Sequence, residues 1–144
     1  MKVIFLDIDG VLNSSQTKPE GEHVYGIHAI LVERFLKVVD ITGAIIVLSS
    51  SWRNYEKDRQ EIREAGIAFV DITPSMPKLG GAEACERGYE IQDWLDRHPE
   101  VQKYAIIDDD NDMLPSQQAN YFKTSMFLGG LTESVCDDII KHFN

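Results

Sequence analysis

Three short apolar runs, each closing on a reactive polar side chain, constrain this chain more than any other feature. Val3-Ile4-Phe5-Leu6 runs into Asp7, Ala44-Ile45-Ile46-Val47-Leu48 into Ser49, and Tyr104-Ala105-Ile106-Ile107 into Asp108. Apolar runs of this length without alternation suit strands buried on both faces, as in a parallel sheet covered by helices. The segments between them have helical character. From His28 to Ile41 the residues Leu31, Phe35, Val38 and Val39 recur at helical spacing, with Glu33, Lys37 and Asp40 opposite, and Gly43 supplies a stop. Asn54 to Ala65 is charged and helix-prone and halts at Gly66. Tyr89 to Arg97 puts Ile91, Trp94 and Leu95 on one face, and a last helix starts at Thr132 as N-cap and buries Val135, Ile139 and Phe143. Ile67 to Ile72 and Tyr121 to Thr124 read as further strands. The alternation predicts an α/β fold: a single Rossmann-like domain over residues 1–144, with a mostly parallel central sheet and helices on both faces. Ligands of such sheets lie outside the carboxyl ends of the strands, so Asp7, Ser49 and Asp108 should share one rim.

Composition narrows the classes further. The 144 residues are 43% hydrophobic and 26% charged, the balance of a globular domain. The longest apolar run, Ala44 to Leu48, is far short of the ~20 residues a membrane span needs, and Met1 to Asp7 offers no secretory signal, so a cytoplasmic protein is expected. Cys85 and Cys136 make neither a disulfide framework nor a CxxC metal pair. A net charge of −10 argues against broad gripping of nucleic acid, while leaving room for a local basic pocket or a terminal phosphate held through a metal.

The strand ends carry the chemistry. Asp7-Ile8-Asp9-Gly10 places two carboxylates at i and i+2 just where a strand gives way to a glycine turn, so both can face one small volume and divide nucleophilic and proton-transfer roles. An ordinary Asp-Gly turn is the plainer alternative. A calcium loop is excluded, because Leu12 and Lys18 stand where Gly and Glu are required. Asp108-Asp109-Asp110-Asn111-Asp112 gathers four acids in five residues. Two like charges ~4 Å apart cost ~1 kcal/mol even in water; a hard divalent cation removes that cost, and an all-oxygen set suits magnesium. An acidic helix N-terminus is the other account of this run. Ser49-Ser50-Ser51-Trp52-Arg53 offers hydroxyls and main-chain N–H groups at a strand-to-helix turn, a natural anion cradle, with Ser50 and Arg53 as further candidates for binding. Ser50 or Ser51 as a helix cap, and Trp52 as a core anchor, are compatible with that role. The cation facing an anion would be Arg87, ahead of the Tyr89 helix, Lys78, or Arg53. No GxSxG elbow, GxxxxGK loop or GxGxxG fingerprint occurs.

These motifs together resemble the haloacid dehalogenase (HAD) superfamily. Asp7-Ile8-Asp9-Gly10-Val11 is similar to its first motif, Ile45 to Ser49 to its second, Arg87 to its third, and Ile106-Ile107-Asp108-Asp109 to its fourth. FLDIDGVLNS, VLSSSWR, RGYEIQDWL and YAIIDDDNDM are together similar to the small HAD domains of Swiss-army-knife RNA-repair proteins. A response-regulator receiver also has an acidic pocket, but its acidic pair precedes the phosphorylated Asp, the reverse of the order here. The resemblance implies phosphoryl transfer with Asp7 as nucleophile, Asp9 as acid and base, and Ser49 and Arg87 on the phosphoryl oxygens. It also implies Mg²⁺ held by Asp7, the Asp9 carbonyl and Asp109, with Asp108 beside them. The intervals between motifs are too short for a full cap domain, and in the superfamily an open site goes with macromolecular substrates or a partner that completes the lid. Phosphorylated RNA or DNA ends are the first substrate expected; small phosphorylated metabolites, nucleotides or phosphoproteins are the alternative, and a catalytically silent binding module a third. Oligomeric state is not legible.

Overall fold

The computed structural model describes residues 1–16, 26–76 and 86–144. Five strands form one parallel sheet in the order β3-β2-β1-β4-β5: β1 Lys2–Leu6, β2 Ile45–Leu48, β3 Asp71–Ile72, β4 Lys103–Asp108 and β5 Tyr121–Lys123. Among the described residues the α-helices are α1 Ala29–Thr42, α2 Glu56–Glu64, α3 Glu86–Asp96 and α4 Glu133–Phe143. Strand order switches direction at β1: β2 and β3 extend to one side, β4 and β5 to the other. A crevice at the carboxyl ends is expected at such a point.

Alternation along β1 divides the interior. Ile4 and Leu6 face α1, α2 and α4, where Leu31, Phe35, Val38, Ile62, Ile139 and Phe143 close the larger core. Val3 and Phe5 face the other way, toward Ile91 and Trp94 of α3 with Val47, Ile106 and Met113. The Phe5 ring meets Trp94 edge-on, 5.4 Å between centroids. Helices therefore cover both faces, as the continuous apolar runs require. α1 ends at Gly43, whose φ of 70° lets its N–H return to the Val39 carbonyl at 2.9 Å. At the start of α4, Thr132 accepts from the Val135 N–H at 3.3 Å, the cap expected of it.

Three elements differ from the sequence reading. The strand expected over Ile67–Ile72 pairs only at Val47↔Asp71 and Leu48↔Ile72. Ile67 and Phe69 instead turn into the larger core, leaving a very short edge ladder. The helix expected from Asn54 is split: Ser51–Asn54 forms a 3-10 turn capped by Ser50, and α2 begins at Glu56. The helix expected at Tyr89 starts at Glu86, so Arg87 lies inside its first turn rather than ahead of it. A further 3-10 segment, Pro115–Asn120, had no counterpart in the sequence reading.

Among the described residues, neither interval between motifs holds a second domain, and no helix is long and apolar enough to cross a membrane. The polar stretch Asn13–Gly26, in which Pro19, Gly21 and Gly26 predict a loop or flap, lies mostly outside the described residues. Its described beginning is in neither helix nor strand, and Asn13 and Ser14 there are buried.

Candidate active site

Register brings the strand ends level. Leu6 lies beside Leu48 on one side and Ile107 on the other, so the next residues, Asp7, Ser49 and Asp108, arrive together at the rim. Asp7 N–H donates to the Ile107 carbonyl at 3.1 Å and Ser49 N–H to the Leu6 carbonyl at 2.8 Å, which carries the ladder one step past the strands. All three side chains are buried.

Beyond Asp7 the chain turns tightly. Val11 and Leu12 both donate to the Ile8 carbonyl, and Gly10 has a φ of 79°. Gly10 is required here for space as well as for backbone conformation. A Cβ on it would stand 2.4 Å from Asp109 Oδ2 and 2.6 Å from its Cγ, so Asp109 reaches the site only because residue 10 has no side chain. Thr124 Oγ1 donates to the Gly10 carbonyl at 2.6 Å and ties this turn to the end of β5.

Asp7, Asp108 and Asp109 each place one carboxylate oxygen within 4.8 Å of the others. Burial pushes the Asp7 carboxyl up to about 6 despite the opposing charge of Arg87. Burial and then the charge of Asp7 push Asp108 up to about 9. Such a pair holds a proton in place of a cation. Three hard oxygen donors that repel one another when ionised fit a divalent ion such as Mg²⁺. A second sign of an absent ligand is Ser49 Oγ, which is buried without a hydrogen-bond partner among the described residues. Buried hydroxyls are ordinarily bonded, and this one stands at the rim beside the carboxylates.

Arg87 supplies the positive charge. Its Nη1 donates to the Ser49 carbonyl and its Nε lies 3.8 Å from Asp108 Oδ2. Burial opposes its charge, but Asp7, Asp108, Glu90 and Asp112 together hold the guanidinium above its ordinary value. The first turn of α3 is itself docked. Arg87 N–H donates to Asp112 Oδ2 at 3.3 Å, Gly88 N–H to the Asp112 carbonyl at 3.1 Å, and Gln117 Nε2 to the Gly88 carbonyl at 2.9 Å. Asp112 therefore caps a helix, while Asp108 and Asp109 join Asp7. The acidic run is thus divided between the strand-end cluster and the first turn of α3.

Asp9 is held from two sides: Asn13 Nδ2 donates to its Oδ1 at 3.0 Å and Trp52 Nε1 to its Oδ2 at 3.1 Å. Neither donor was singled out for this role from sequence, although Asn13 sits four residues after Asp9, a spacing that a tight turn closes. Ser50 Oγ accepts from the Trp52 N–H at 3.2 Å, as a cap. The structure does not open Arg53 to an anion. Its nitrogens meet Glu90, the Ser50 carbonyl and Ser75. Lys78 lies outside the described residues.

Three strand-end groups, Asp7, Ser49 and Asp108, thus stand with Arg87 around a glycine that admits Asp109. Residues 3–135 match the family described as the HAD domain in Swiss Army Knife RNA repair proteins. The chain belongs to that family. No curated protein matches it. The match spans all four motifs, from the strand that ends at Asp7 to the helix that follows Thr132.

Proposed function

We propose that this HAD domain is a magnesium-dependent phosphomonoesterase that works through an aspartyl-phosphate, with phosphorylated nucleic-acid ends as its substrate class. The observation that carries the reading is the convergence of Asp7, Asp108 and Asp109 beside Arg87 and the unpartnered Ser49 hydroxyl.

The residues divide the reaction between them. Asp7 attacks phosphorus, forming an acyl-phosphate bond as the bond to the ester oxygen breaks. Asp9, oriented by Asn13 and Trp52, gives that oxygen a proton. It then takes one from the water that attacks the acyl-phosphate, which frees Asp7 and releases phosphate. Ser49 Oγ and the Arg87 guanidinium hold non-bridging oxygens, and most of the acceleration comes from such positioning and charge compensation. Asp7, Asp109 and the Asp9 carbonyl, with Asp108 beside them, would hold Mg²⁺, whose charge shields the nucleophile from the phosphate dianion.

Two observations favour a nucleic-acid end over a small metabolite. The family is named for RNA-repair proteins. In addition, the loop after β5 displays Phe127 and Leu128 at 74% and 71% exposure, on the rim where the strands end. Exposed aromatic rings beside an open site serve as stacking surfaces for unpaired bases. The net charge of −10 favours the second reading, a phosphatase of small phosphorylated molecules.

Turnover of p-nitrophenyl phosphate tests the chemistry. Activity is expected with Mg²⁺, none with EDTA, and a loss of at least about 10³-fold in Asp7→Asn with the fold intact. Metal-independent turnover that survives Asp7→Asn would overturn the mechanism. A panel of 3′- and 5′-phosphorylated oligonucleotides, mononucleotides and sugar phosphates separates the substrate classes. Equal rates on all would remove the nucleic-acid assignment.

A further inference from the structure

Two guanidinium groups reach the first two carbonyls past β2. Arg87 donates to the Ser49 carbonyl, and Arg53 Nη1 donates to the next one, Ser50 O, at 2.8 Å. Like charges so placed repel; after burial and the opposing pull of Glu90, the charge of Arg87 is what next lowers the pKa of Arg53. Glu90 separates their roles. Its Oε2 accepts from Arg53 Nη2 at 2.7 Å, with the two side chains 7% and 6% exposed, whereas Arg87 keeps 20% of its side chain open. The same oxygen accepts from the Met76 N–H at 2.9 Å. Arg53 Nε meets Ser75 Oγ at 3.2 Å. Because Glu90 follows Arg87 by three residues on α3, the two share a helix face. One carboxylate thus joins the turn after β2, the loop after β3 and the helix that carries Arg87.

We propose that Glu90 and Arg53 are positioning residues, a buried latch that withdraws Arg53 from the anion site and fixes α3 so that Arg87 alone of the pair is presented to it. What Arg87 holds rests on the phosphatase reading; the latch itself does not. Stability is a poor reason for such a pair, since apolar side chains of similar volume commonly replace a buried ion pair without loss. Direction is the better reason. An ion pair with three fixed hydrogen bonds sets the height of α3 against β2, which apolar contact alone does not.

The full chain is assayed with Mg²⁺ and p-nitrophenyl phosphate as wild type, Glu90→Gln, Arg87→Ala and the double variant. Glu90→Gln is expected to lower kcat/KM by about 10- to 100-fold, the scale of a small misplacement of a binding group. In the Arg87→Ala background the same substitution should change it less than about twofold, because its effect passes through Arg87. Full losses that multiply would show a merely structural role and overturn the latch. Should Glu90→Gln fail to fold, Arg53→Met with Glu90→Leu keeps an apolar pair. It should melt no lower than wild type yet lose activity similarly, and wild-type activity in it would overturn the proposal. If the wild-type protein turns over no phosphate ester, the phosphatase reading falls and the latch is read by NMR. Glu90→Gln should then shift the Arg87 Nε–H resonance and speed its exchange with water; a change confined to Arg53 would overturn the latch.

Discussion

On one face of the sheet Ile4, Leu6, Ile46 and Leu48 meet a continuous apolar layer from α1, α2 and α4. On the other, Val3, Phe5 and Val47 meet Ile91, Trp94 and Met113, and hydrogen bonds take over from there. Trp94 Nε1 donates to Asp71 Oδ2 at 2.9 Å, Gln117 to the Gly88 carbonyl, and Arg53 to Glu90. Apolar burial is strong but without direction, so it leaves a helix free to settle by fractions of an ångström. Catalytic groups tolerate about 0.5 Å. The face with less apolar area is the one whose helix carries Arg87, and polar contacts there tie that helix to β3, to the turn after β2 and to the 3-10 segment. The larger core makes the domain stable, and the smaller one aims it.

Substitutions should separate the two roles. The largest effect on stability is expected from Phe35→Ala in the larger core, where a fully buried ring is lost: about 3–5 kcal/mol in urea unfolding. Turnover per folded molecule should remain near wild type. Gly88→Ala comes next and should act the other way round. In an ordinary helix interior this exchange stabilises by up to about 1 kcal/mol. Here the new Cβ would stand 2.7 Å from the Leu114 main-chain nitrogen and 3.0 Å from the Asp112 carbonyl, neither of which can step aside cheaply. A loss of about 1–3 kcal/mol is expected, together with a fall in kcat/KM of roughly 10²-fold as Arg87 is displaced. If Gly88→Ala stabilises the protein and leaves activity alone, α3 is not aimed by this docking and the contrast between the faces fails.

That contrast also explains what could be read from the sequence. The large core announces itself through period: Leu31, Phe35 and Val38 repeat at helical spacing, and Gly43 stops the helix where a left-handed residue is needed. Asp7, Ser49 and Asp108 could be found because each ends an apolar run, and parallel register does the rest. The aiming contacts carry no such signal. Glu90 and Arg53 are 37 residues apart in the chain, and an acid in RGYEIQDWL looks like any solvated helix residue until the fold brings Arg53 against it. Arg53 was legible as a cation near the anion site but not as one already neutralised. The 3-10 segment Pro115–Asn120, whose Gln117 docks α3, follows from no periodicity at all, and the short β3 edge ladder depends on where Phe69 finds a core.

The third prediction concerns the charged side of the same contrast. Among the hydrophobic residues of the larger core, the Cys136 thiol is held up to about 11, first of all by burial, so it stays protonated across the neutral range. Asp7 and Asp108 have folded pKa values raised above their unfolded ones, to about 6 and about 9. The folded protein therefore binds more protons than the unfolded chain, and stability falls as pH rises. The contribution of the pair is complete below about pH 4 and is lost as pH climbs through 6 and then 9. In EDTA the melting temperature of the wild-type protein should fall by several degrees between pH 5 and 9 relative to Asp108→Asn, which cannot titrate there. Added Mg²⁺ should stabilise the wild type increasingly over the same range, because it replaces the proton the pair would otherwise hold. Parallel melting curves for the two proteins in EDTA would mean the carboxylates are better solvated than their burial implies.

The smallest effect on stability belongs to the rim, outside both cores. Phe127 is 74% exposed, and the turn that displays it is braced rather than loose: Gly130 N–H donates to the Ser125 carbonyl at 2.8 Å and Ser15 N–H to the Met126 carbonyl at 2.8 Å. Gly130 sits with a φ of 67°, where a Cβ would stand 2.9 Å from the Val11 carbonyl oxygen, so the turn lies against the segment that follows Asp9. Phe127→Ala removes little buried area, and its unfolding free energy should lie within about 0.5 kcal/mol of wild type. Under the proposed nucleic-acid reading, this exposed ring is a surface on which substrate would stack. Stacking of an unpaired base on an aromatic ring is worth about 1–3 kcal/mol. Phe127→Ala should therefore lower kcat/KM on a phosphorylated oligonucleotide by roughly fivefold or more while leaving p-nitrophenyl phosphate, which has no base to stack at that distance, unchanged. Equal losses on both substrates would place the ring's effect on the Asp9 turn through its packing. No loss on either would detach the rim from catalysis and favour a small phosphorylated substrate.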